Sequence, residues 1–124
     1  MRGCFALTVS GGHTAWMMLR ALAEGDIPWA GVHVVQRDER VAPDGLPDQN
    51  LTHLRESLLQ HASLRPEQIH AMPVESPDLR TAATQYALAI REIVGSPPVL
   101  DLVHLGLGAE ATRLHWCLVM WYLT

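Results

Sequence analysis

"CFALTVSGGHTAWMMLRALAEG", residues 4–25, decides the fold. Residues 4–9 form a short apolar run stopped by a Ser-Gly-Gly, the pattern of a strand buried on both faces. After "SGGHT" the apolar residues Trp16, Met17, Leu19, Leu22 and Ala23 recur at helical spacing. Thr14 is placed to cap that helix and Gly25 to end it. The reading is strand, glycine turn, helix.

The rest of the chain repeats this unit. "AGVHVVQ" (30–36) is a second strand signal, and "RDERVAPDGLPDQN" (37–50) is a loop by its proline, glycine and aspartate content. Asn50 is placed to cap a second helix carrying Leu51, Leu54, Leu58 and Leu59. "IHAMPV" (69–74) predicts a third strand, "DLRTAATQYALAIREIVG" (78–95) a third helix ended by Gly95, and "VLDLVHLGLG" (99–108) a fourth strand. Strands that alternate with helices need crossover connections, so the prediction is an α/β fold with a doubly wound, mostly parallel, Rossmann-like sheet. At 124 residues the chain has room for one domain.

Composition narrows the function classes. A net charge of -4, with no basic stripe, gives no electrostatic footprint for nucleic acid. The terminal run "WCLVMWYL" (116–123) falls short of the roughly 20 apolar residues needed to span a bilayer, so no membrane partner is expected. Cys4 and Cys117 lie at opposite ends, which argues against a disulfide framework and for a cytoplasmic protein. Seven histidines without metal-ligand spacing and two distant cysteines predict no metal site. Within apolar runs, His33 and His104 read as packed core residues.

In a sheet of this kind ligands bind beyond the carboxyl ends of the strands. Two segments end there. Ser10, Gly11, Gly12 and Thr14 form a candidate phosphate cradle, because glycines let backbone N–H groups approach an anion at a helix N-terminus. Asp38, Glu39 and Arg40 put two carboxylates beside a guanidinium. Either carboxylate could bind a sugar hydroxyl or handle a proton, and Arg40 could clamp an anion; a solvated charge run is the plainer alternative.

In order, "ALTVSGGHT", "VHVVQRDERVAPDGLPDQNLTHLRESLL", "IHAMPVE", "AATQYALAIRE" and "PPVLDLVHLGLG" resemble the 6-phosphogluconolactonase family over nearly all of residues 5–108. Related aminosugar-phosphate isomerases and deaminases carry a motif like Asp-Glu-Tyr where this chain has Asp38-Glu39-Arg40. The resemblance implies a cofactor-independent hydrolase that opens 6-phospho-D-glucono-1,5-lactone, its small-molecule sugar-phosphate substrate. It also implies that Ser10, Gly11 and Gly12 lie near the substrate phosphate, that Asp38 and Arg40 belong to the active site, and that Asn50 and Arg55 match site residues of the following helix. Ala15 stands where the family commonly has proline. An aminosugar-phosphate isomerase or deaminase of the same fold is one alternative, and a non-catalytic sugar-phosphate-binding or interaction module is the alternative from another class.

After Gly108 the family continues with a segment like Asp-Gly-His-Thr-Ala-Ser-Leu-x-Pro, whose histidine is the expected general base. Here the chain reads "AEATRLHWCLVMWYLT" (109–124). Dropping the first two bases of the Glu110 codon and regrouping permits Gly-His-Thr-Ala-Ser-Leu-Val-Pro-Gly-Asp. The expected division is thus a partial lactonase-like domain over 1–108 and a frameshifted apolar tail over 109–124.

Overall fold

The computed structural model describes residues 4–37, 39, 45–47, 49–95 and 99–104. Among the described residues, four parallel strands lie in the order β3-β2-β1-β4, formed by β1 (Phe5–Val9), β2 (Val32–Gln36), β3 (Ile69–His70) and β4 (Leu102–Val103). In register, Phe5 faces Val32, Val34 faces Ile69 and Leu7 faces Leu102. The chain therefore builds outward from β1 through β2 to β3 and then returns to β1's other side. The doubly wound parallel reading holds.

Helices cover both faces because the strand side chains alternate. On one face, Leu7, Val9, Val32 and Val34 pack against Leu19 of α1 (His13–Ala23), Trp29, and Leu54 and Leu58 of the second helix. That helix is α2 (Asn50–Leu54), running on as a π-helical turn over Arg55–Leu59. On the other face, Ala6 and Val35 pack against Ala83, Tyr86, Ala87, Ile90 and Val94 of α3 (Leu79–Val94). Burying one such Leu or Ile contributes about 1.5–3 kcal/mol.

Local chemistry sets the ends. The Asp78 side chain accepts from the Arg80 and Thr81 N–H groups at the start of α3, and Gly95, at φ 90°, ends it. The buried Gln68 ties the approach to β3 down, donating to the Trp29 and Val32 carbonyls. Tyr86 pins β2 to β3 from α3: its hydroxyl accepts from the Gln36 N–H at 2.8 Å and lies 3.0 and 2.8 Å from the Gln36 and His70 carbonyls.

Several expectations need correction. Thr14 does not cap α1; Gly12 holds the cap position and Thr14 is exposed in the first turn. Asn50 does not cap α2 but is its first residue, after Gln49. Met17 is 64% exposed, because it lies about 200° around the helix from Leu19. β3 is paired only over two residues, not over the whole of 69–74. The end of the predicted fourth strand and the tail lie outside the described residues.

Candidate functional site

The winding of the sheet reverses between β1 and β4, and the carboxyl ends of these two strands mark the crevice where open α/β sheets receive ligands. Ser10 leaves β1 there, buried, and its hydroxyl lies 3.1 Å from Nδ1 of His104, the residue after β4. His104 is half-buried at this edge and is not a core residue. Nor is His33, which is half-buried and hydrogen-bonded to His70 at 3.0 Å.

Gly11 and Gly12 follow Ser10, each for a different reason. Gly12 sits at φ 117° and ψ 157°, a conformation open to glycine and little else. Gly11 is required by space: a Cβ there would overlap the Asn50 side-chain amide, with Nδ2 2.8 Å away and Oδ1 closer still. Asn50 thus lies directly on the turn. α1 starts immediately afterwards with no acidic residue in its first turn, so the partial positive charge of its N-terminus is not neutralised there.

Asn50 is held in place by Glu39. Glu39 Oε1 accepts from the Asn50 N–H at 2.6 Å, and Oε2 accepts from the Leu51 N–H at 2.8 Å and from Gln36 Nε2 at 2.9 Å. Gln36 in turn accepts from the Met72 N–H through Oε1 at 2.8 Å. The carboxylate therefore joins the end of β2, the start of α2 and the segment after β3. Asp38 and Arg40, on either side, lie outside the described residues.

Arg55 lines a cleft of about 300 Å3 together with Gln49, Leu51, Met72 and Glu75. A larger cavity of about 550 Å3 opens at the other end of β1, against Phe5, Leu22, Trp29 and Leu102. Its walls are apolar and offer nothing to hold a phosphate.

Sequence reasoning missed two residues at the site, His104 and Arg37. His104 holds its place through Ser10, a partner distant in sequence. Arg37, at the end of β2, is the only buried cationic side chain among the described residues. The signal for Arg37 and His104 was positional, since both directly follow a strand. Trp16 and His53 stack 3.9 Å apart between α1 and α2, joining the two helices near the turn. Among the described residues, no group of three or more His, Cys, Asp or Glu side chains is placed to hold a metal ion. No described helix is long and apolar enough to cross a membrane.

Comparison with known proteins decides the family. The family of glucosamine-6-phosphate isomerases and 6-phosphogluconolactonases matches residues 1–112. The chain belongs to this family. Within it, the chain is similar to 6-phosphogluconolactonase from Nostoc sp., 32% identical over 114 residues that cover 89% of this chain and 48% of that protein. It is also 36% identical over 115 residues to the human GDH/6PGL endoplasmic bifunctional protein, covering 87% of this chain and 14% of the other. The crystal structure of 6-phosphogluconolactonase from Thermotoga maritima superposes with a TM-score of 0.80 at 25% identity, over 90% of this chain and 49% of that one. The chain thus spans about half the length of these single-function family members.

Proposed function

We propose that this chain carries the sugar-phosphate-binding half of a 6-phosphogluconolactonase, whose substrate is 6-phospho-D-glucono-1,5-lactone. The observation that carries the reading is the glycine turn at the switch point, with Gly11 packed beneath Asn50 and Gly12 in a glycine-only conformation. Such a turn exposes N–H groups at the start of α1, where a phosphate dianion is favoured by hydrogen bonding and by the helix dipole. Ser10, Gly11, Gly12 and Thr14 hold the phosphate in this reading, and Asn50 and Arg55 contact the sugar acid. Asp38 and Arg40 complete the active site, and the setting is cytoplasmic.

The reaction needs a base to take a proton from water as its oxygen adds to the lactone carbonyl. The tetrahedral oxyanion then collapses, the ring C–O bond breaks, and the released alkoxide takes up a proton to give 6-phosphogluconate. In the family pattern the base is the histidine of Asp-Gly-His-Thr, and "AEATRLHW" (109–116) offers no such motif. We therefore read residues 109–124 as a frameshift product. The chain binds the sugar phosphate and turns the lactone over poorly.

Calorimetric titration of the full chain tests the binding half of this reading. We expect 6-phosphogluconate to bind and gluconate not to, with Gly11→Val weakening the phosphate ester about tenfold or more, the effect of losing roughly 1.4 kcal/mol. Equal affinity for the two acids, or no effect of Gly11→Val, would overturn it.

A further inference from the structure

We infer that Glu39 is a positioning residue, which sets the anion-binding turn indirectly by holding the first turn of α2, and that it neither handles a proton nor touches the sugar. The inference rests on the sugar-phosphate reading above for its functional consequence, but its geometry stands apart from that reading. The first N–H groups of any α-helix lack intrahelical acceptors. At α2 the residue in the cap position, Gln49, makes no side-chain capping bond. Glu39, eleven residues upstream of Asn50, takes over this task, accepting from the N–H groups of both Asn50 and Leu51.

These are charge-assisted hydrogen bonds, shorter and stronger than neutral ones. Each oxygen of Glu39 already accepts at least one N–H, and Oε2 accepts a second donor from Gln36. A general base offers a lone pair to a substrate proton, and at least three of this carboxylate's roughly four lone-pair positions already accept protein donors. Of the two carboxylates in the Asp-Glu-Arg stretch, Glu39 is the scaffold.

The consequence travels two steps. Glu39 fixes the Asn50 backbone, and the Asn50 amide in turn occupies the space against Gly11. If the start of α2 moves, the amide moves, and the turn that leads into α1 loses the surface it packs on. Electrostatics point the same way. The carboxylate of Glu39 offsets the partial positive charge at the start of α2, whereas the first turn of α1 carries no acidic residue. The protein has filled one helix N-terminus with its own anion, and the incoming phosphate is directed to the other.

The test is to record backbone amide spectra of the full chain, without ligand, for wild type, Glu39→Gln and Asn50→Ala. We expect Glu39→Gln to move the Asn50 and Leu51 resonances and also those of Gly11 and Gly12. Ile90→Val, which loosens the core on the opposite face, should leave the two glycines in place and so controls for general destabilisation. In the Asn50→Ala background, Glu39→Gln should add little at Gly11, because the connecting amide is gone. Titration with 6-phosphogluconate should then show affinity weakened roughly fivefold to tenfold in Glu39→Gln. Gly11 and Gly12 resonances unmoved by Glu39→Gln would overturn the inference, as would unchanged affinity when the wild type binds. A wild type that does not bind 6-phosphogluconate would defeat the functional reading while the glycine resonances still judge Glu39. If Glu39→Gln does not fold, Glu39→Asp, which keeps the charge but shortens the reach, carries the same comparison.

Discussion

Replacing Gly11 by alanine would place a Cβ inside the Asn50 amide, within 2.8 Å of Nδ2 and nearer still to Oδ1. The obstacle is the end of a short side chain and not backbone, so Asn50 can swing away. Its backbone N–H stays tethered to Glu39, however, which leaves only side-chain torsions to absorb the overlap. Overpacking of this kind costs about 1–3 kcal/mol, and a movable partner puts the cost in the lower half of that range. For a domain of this size that is a fall of roughly 5–10 °C in Tm. Thermal unfolding followed by circular dichroism, in a cycle of Gly11→Ala, Asn50→Ala and the double variant, isolates the clash. Because alanine at position 50 removes the overlapping atoms, the double variant should be nearly as stable as Asn50→Ala alone. A Gly11→Ala chain as stable as wild type, or a double variant showing no relief, would refute the packing of Asn50 on the turn.

Two further outcomes follow from the pairing of β2 with β3. Tyr86→Phe leaves the Gln36 N–H without the phenol oxygen it donates to, and urea unfolding should show a loss of about 1–3 kcal/mol. His70 is held below the ordinary imidazole pKa of 6.5, first by burial and then by the neighbouring His33 ring. The folded state therefore favours the neutral ring, and this contribution to stability is whole above pH 6.5 and lost as pH falls through the lower folded-state value. Urea midpoints measured from pH 7.5 to 5 should fall less steeply in His70→Gln than in wild type; identical slopes would count against the half-buried His pair.

What the sequence disclosed was set by local physics. The β1-turn-α1 unit was legible because a strand buried on both faces leaves a continuous apolar run, and because the glycines must follow it. α3 was legible at both ends, with Asp78 and Gly95 in the positions that helix termini favour. Non-local features were hidden. The cap of α2 is supplied by Glu39 across a loop, so the nearest plausible cap, Asn50, was a natural misreading. At α1 the residue type of Thr14 points to a cap, but Gly12 holds the cap position and makes no side-chain capping bond. The role of His104 depends on β4 lying beside β1, a strand order that no local pattern encodes.

Hydrolysis of 6-phosphogluconolactone, corrected for spontaneous ring opening, tests the central claim most directly when this chain is assayed beside a version whose coding sequence has one base restored before the Gly-His-Thr frame. A missing general base costs about 10²–10⁴-fold in such reactions. Turnover near background is expected for the chain as it stands, with a gain of at least that order in the restored protein. Comparable turnover by the two would show that residues 109–124 are functional and that no base has been lost.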